Sequence, residues 1–104
     1  MSHTLIWTEE ARQDAREIIL WISSKFGRRT ATEAYERFSE NTELLQFMPY
    51  RGIVYEHNSN YRVIHLRRSS IYYRIKNETI IITAVFDNRR SDKKIASLLK
   101  KRQN

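Results

Sequence analysis

The chain has 104 residues, no cysteine, two glycines, one proline and a formal net charge of +7. That length suits one domain over residues 1–104 and leaves no room for a second core. Without cysteine there is no disulfide scaffold and no thiolate zinc site, and two glycines cannot build a glycine-rich phosphate loop. The longest apolar runs, Ile18–Ile22 and Thr79–Phe86, are far shorter than the roughly 20 residues of a membrane span. No basic segment followed by a long apolar one follows Met1, so a cytoplasmic protein is expected.

His3–Trp7 is bulky and β-prone and reads as a first strand. Thr8 can cap a helix, with Glu9 and Glu10 at the positive end of its dipole. Ala11, Ala15, Ile18, Ile22 and Phe26 recur every three or four residues and form one apolar face, which Gly27 ends. Trp21 lies off that stripe, where it can meet a partner. Thr30 and Glu33 have the spacing of a capping box. Ala31, Ala34, Phe38, Leu45 and Met48 then make a second stripe, closed by Pro49 and Gly52. The short connection at Gly27–Arg29 predicts an antiparallel helical hairpin.

Four β-prone stretches follow: Ile53–His57, Tyr61–Arg67, Ser70–Lys76 and Thr79–Phe86. Their hairpin-length gaps predict antiparallel neighbours. Alternation sets Ile71, Tyr73 and Ile75 on one face and Tyr72, Arg74 and Lys76 on the other, while Arg62 shares a face with Ile64 and Leu66. Thr79–Phe86, almost wholly apolar, suits a strand buried on both sides. Ser91 can cap a tail helix whose apolar side is Ile95, Leu98 and Leu99, and the basic tail 91–104 reads as a frayed, solvated end. The fold class is therefore α+β: an antiparallel sheet with an N-terminal strand, a helical hairpin on one face, the order βααβββ(β), and a short tail helix.

Charge follows this division. Residues 1–50 carry 6 Lys/Arg and 8 Asp/Glu, a net of −2, and residues 51–104 carry 13 and 4, a net of +9. A field concentrated in this way attracts a polyanion or an acidic protein.

Several strings in this order resemble the RelE/ParE superfamily of bacterial toxins. Ile6–Asp14 is similar to its opening strand and helix, and Leu44–Pro49 with Gly52 to the end of its second helix. Tyr61-Arg62 and Ile71–Ile75 resemble its paired central strands, and Ile80–Val85 with Arg89-Arg90 its last strand and trailing arginines. The resemblance spans about residues 4–92. It implies a toxin of a two-gene system, linked to plasmid stabilisation, without a cofactor, and neutralised by a cognate antitoxin. Two activities go with it. ParE-like members inhibit DNA gyrase, and RelE-like members cut ribosome-bound messenger RNA; a basic module that only binds its antitoxin is the third possibility. No small-molecule substrate and no membrane partner are implied.

Metal-free RNA cleavage needs a base, an acid and cations at the phosphate. Arg62, Arg74, Arg89 and Arg90 are the candidate cations, with Arg62 and Arg74 expected to point away from the helices. Tyr72, expected exposed, and Asp87 are weaker candidates for a catalytic role. Relatives that cut RNA often carry a His where Asp87 stands, and no His follows His65, which is expected to be packed. That absence and the long hairpin favour the ParE-like activity. Tyr72, Arg67, Arg68, Lys93 and Lys94 are the candidates for contact with a target or antitoxin. His3, His57 and His65 have no metal-ligand spacing.

Overall fold

A computed structural model describes residues 2–103. The elements run β1 (Thr4–Trp7), α1 (Glu9–Phe26), α2 (Arg28–Leu44), β2 (Ile53–Val54), β3 (Arg62–His65), β4 (Ser69–Lys76), β5 (Thr79–Asp87) and α3 (Asp92–Arg102). The five strands form one sheet in the order β1-β5-β4-β3-β2. Every pairing is antiparallel except that of β1, which lies parallel to β5 from Thr4↔Thr79 to Trp7↔Ile82. A parallel neighbour needs a crossover, and the α1–α2 hairpin with β2–β4 supplies it.

Thr8 caps α1 by accepting from the Ala11 amide at 3.1 Å. Gly27 ends the helix at φ 92°, in the conformation that glycine enters cheaply. The capping box at Thr30 and Glu33 does not form: α2 starts at Arg28, directly after Gly27, so Thr30 is already inside the helix. Helix α2 ends at Leu44, and Met48, expected on its stripe, lies exposed in the following turn. Strand β2 is shorter than expected, because the chain turns back at Asn58 onto the Tyr55 carbonyl. Strand β3 stops at His65, where the Leu66 amide donates to the Ser69 carbonyl at 2.8 Å.

The sheet has a core on each face. Toward the hairpin, Ile64, Ile71, Tyr73, Ile80, Ile82 and Val85 pack with Ala11, Phe38 and Leu45. On the other face, Tyr55, Tyr61, Val63, Tyr72, Ala84 and Phe86 pack beneath Ile95 and Leu99 of α3. The tail is therefore not frayed over its described length. Helix α3, capped by Ser91, is held at Leu99 by the Tyr61 hydroxyl, which donates to its carbonyl at 2.9 Å. Asn104, part of the same tail, lies outside the described residues.

One irregularity sets the two faces of β5. Tyr72 opposes Ala84 but Tyr73 opposes Ile82, so Thr83 is an extra residue, a β-bulge. The bulge turns its carbonyl toward Arg102, whose Nη1 donates to it at 3.1 Å. The same guanidinium pairs with Asp14 of α1 at 2.6 Å, and Asp14 also accepts from the Val85 amide at 3.1 Å. Arg102 thus joins α3, α1 and β5 at one point. Among the described residues, no helix is long and apolar enough to cross a membrane.

Candidate functional site

At one end of the sheet three chain turns meet: the last turn of α1, the β3–β4 turn at Leu66–Arg68, and the segment after β5. Asn88 fastens the last two. Its amide donates to the Arg68 carbonyl at 3.0 Å, and its side-chain nitrogen donates to the Leu66 carbonyl at 3.0 Å. The first turn is held by aromatic contacts. The Arg68 guanidinium lies 4.2 Å from the centre of the Phe26 ring, and Trp21 meets Phe26 edge-on at 5.8 Å. Arg89 lies 5.8 Å from the Trp21 ring. Between them run two connected grooves. The inner one, about 190 Å³, reaches from Asp14 and Glu17 to Arg90. The outer one, about 290 Å³, is lined by Trp21, Arg67, Arg68, Asp87, Asn88 and Arg89.

Asp87 does not work as a base here. Its carboxylate takes three bonds from Arg89: the amide at 2.8 Å, Nε at 3.2 Å and Nη2 at 3.1 Å. The hydrogen bonds from the Arg89 side chain hold its pKa below the usual carboxylate range, so it stays ionised and weakly basic. Arg90 turns the other way, 4.6 Å over the Phe86 ring.

The remaining candidates do not join this group. Arg62 and Arg74 lie on opposite faces of the sheet. Arg62 opposes Tyr73 in the β3–β4 register, and directly opposed residues share a face, so Arg62 sits on the hairpin side. There its Nη1 donates to the Gly52 carbonyl at 2.7 Å. Arg74 lies on the α3 side, 5.9 Å from the Tyr61 ring, with its Nε buried. Tyr72, expected exposed, is 3% exposed: α3 covers it, and burial raises its pKa. Lys93 and Lys94 stand exposed on the first turn of α3.

His65, expected to be packed, is exposed, and it has a partner that the sequence does not announce. Its Nδ1 lies 2.7 Å from the Ser70 hydroxyl, and Ser70 in turn donates to Asn88 Oδ1. Asn88 is oriented by its donation to Leu66, so its oxygen must face Ser70. The Ser70 proton is then committed to Asn88. His65 therefore carries a proton on Nδ1 and donates it to the Ser70 oxygen. In sequence, the only sign is a polar Ser70 at the start of a strand opposite a histidine. Among the described residues, no three His, Cys, Asp or Glu side chains are grouped to hold a metal ion.

The fold has counterparts. The chromosomal ParDE system of P. aeruginosa supplies a structure that superposes with a TM-score of 0.72 at 24% identity, covering 83% of this chain and 96% of that one. A toxin–antitoxin complex of Mycobacterium tuberculosis, RelBE2, superposes at 0.61 and 19% identity, covering 85% and 100%. At these identities the likeness is one of fold. No curated protein sequence matches the chain. A sequence-family model described as the ParE toxin of the type II toxin–antitoxin system parDE matches residues 5–92, which span both helices of the hairpin, all of the sheet but Thr4, and the arginines that follow it. The chain belongs to the ParE toxin family of type II toxin–antitoxin systems.

Proposed function

We propose that this toxin acts in the cytoplasm by binding DNA gyrase and is held inactive there by a cognate antitoxin. One observation carries the choice of target. The four arginines expected around a scissile phosphate do not converge, since Arg62 and Arg74 occupy opposite faces and Arg89 is committed to Asp87. Phosphoryl transfer without a metal depends on cations placed together around one phosphate. A toxin that works by binding has no such requirement. The acidic antitoxin follows from the charge: +7 on the chain calls for a partner of opposite sign.

The test is a gyrase supercoiling and cleavage assay with purified toxin. Loss of supercoiling, or accumulation of cleaved DNA, at micromolar toxin is expected. Unchanged gyrase activity would sink the proposal. Growth arrest on expression, relieved by co-expression of a cognate antitoxin, tests the partner.

A second reading has its own support. His65 is exposed and oriented through Ser70 and Asn88, which makes it the candidate general base for a ribose hydroxyl. If messenger RNA is cut, His65→Gln should abolish new ends on mapped transcripts while Arg62→Ala leaves most of them. Intact transcripts in cells expressing the wild type would remove this reading.

A further inference from the structure

We infer that the basic end of the molecule binds single-stranded DNA, with Trp21 as the platform on which one base stacks. The charge argument comes first. The last turn of α1 carries Lys25 and the first turn of α2 Arg28 and Arg29; the β3–β4 turn adds Arg67 and Arg68, and the chain after β5 adds Arg89 and Arg90. Around these seven cations stand Glu33 beside Arg29, Asp87 beside Arg89, and Glu17, which lines the inner groove with Arg68, Arg89 and Arg90; Asp14, in the same groove, is paired with Arg102. Lys25, Arg28 and Arg29 belong by sequence to the half with net −2, and the contact of Arg68 with Phe26 brings the end of α1 against the arginine-bearing β3–β4 turn of the other half. The outer groove contains a single carboxylate, Asp87, already matched by Arg89. Among the described residues neither the Arg67 nor the Arg68 side chain donates a hydrogen bond, so both guanidinium groups are open to phosphate. Glu17 lines only the inner groove.

Aromatic side chains decide the kind of polyanion. Trp21 is 42% exposed and borders the charged groove, and Phe26, 49% exposed, packs edge-on against the indole. The edge contact between them fixes the indole, which stays partly exposed although the Arg89 guanidinium lies 5.8 Å from its ring centre. The Arg68 guanidinium, 4.2 Å from the centre of the Phe26 ring, keeps that ring from serving as a second platform. Arginines alternating with an exposed, immobilised tryptophan suit a strand whose phosphates and base faces are both accessible. A duplex hides its base faces, and an acidic peptide leaves the indole unused. The link to gyrase, whose substrate is DNA that it cuts, rests on the proposed target; binding of the strand by the toxin alone does not.

The experiment is fluorescence anisotropy of a labelled single-stranded DNA of about 12 nucleotides titrated with the full chain. Micromolar binding is expected, with log Kd rising against log salt with a slope of about 3, as for four or five phosphates. The same duplex sequence should bind at least about 10-fold more weakly, and Trp21→Ala should lose about 10-fold while Trp21→Phe keeps most of the affinity. Arg67→Glu with Arg68→Glu should abolish binding; unchanged thermal midpoints confirm that these surface variants fold. No binding at low salt, duplex preferred over single strand, or full affinity in Trp21→Ala would each overturn the inference. Displacement of the DNA by polyglutamate at equal charge concentration would assign the surface to an acidic protein and overturn it as well. Gyrase inhibition without DNA binding refutes this inference alone. DNA binding without gyrase inhibition refutes only the proposed target.

Discussion

Tyr73 lies in the core, fully buried, and still has a hydroxyl to satisfy. The hydroxyl reaches the turn after α2, where it donates to the Pro49 carbonyl at 2.8 Å and accepts from the Gly52 amide at 2.9 Å. The approach is so close that a Cβ on Gly52 would lie 2.6 Å from that oxygen and 2.7 Å from a ring carbon. Gly52 is therefore required by a tyrosine 21 residues away rather than by its own backbone angles. Tyr73→Phe should cost about 1–3 kcal/mol in urea denaturation, because it leaves a buried amide and carbonyl unpaired. Gly52→Ala should cost a similar amount, about 1–3 kcal/mol, through overpacking. The sequence shows Pro49 and Gly52 as a turn and Tyr73 as a core residue. The bond between them depends on register, which no local pattern encodes. Asp87 has a signature in pH. Its lowered pKa means that its contribution is complete above the ordinary carboxylate range and fades as pH falls through the lowered value. Solvent screens this partly exposed pair, so Asp87→Asn should change stability little at pH 7 and remove only a small loss below about pH 4. By freeing Arg89, the same change should tighten binding of the single strand.

At the level of elements, α3 and the bulge at Thr83 depend on each other. Strand β5 runs apolar from Ile80 to Phe86 apart from Thr83, so its sequence has no alternation to reveal which side chain faces which layer. One extra residue at Thr83 reverses the parity. It sends Ala84 and Phe86 to the α3 side and Val85 to the hairpin side, and Tyr72 is buried as a consequence. For that reason the cap at Ser91 and the stripe of Ile95, Leu98 and Leu99 are legible, whereas the surface beneath them is not. Leu99→Ala should destabilise by about 2–4 kcal/mol, as expected for a cavity in a closed core. Arg102→Ala should cost about 3 kcal/mol by leaving Asp14 half-buried without its cation. Thermal denaturation checks both. An Arg102→Ala variant as stable as the wild type would show that α3 is held by its apolar side alone.

Across the whole molecule the surface is divided. The basic end holds the three arginine-bearing turns. Elsewhere, around the exit of α2 and the β2 edge, Phe47, Met48, Tyr50, Ile53 and Val54 are all large, apolar and at least 49% exposed. A patch of this kind promotes association. Phe47→Ser with Ile53→Ser should therefore reduce light scattering by the isolated toxin, with less than about 0.5 kcal/mol change in stability per site. The closing contacts of the fold also span most of the chain: β1 pairs with β5, and Asp14 waits for Arg102, 88 positions later. Such distant pairing gives a high contact order, and folding in milliseconds to seconds is expected. During synthesis the α1–α2 hairpin can form locally, but the sheet edge that receives β1 does not exist until β5 has been made. A nascent toxin is thus unassembled through most of its translation, and an antitoxin already present has that interval in which to be waiting for it.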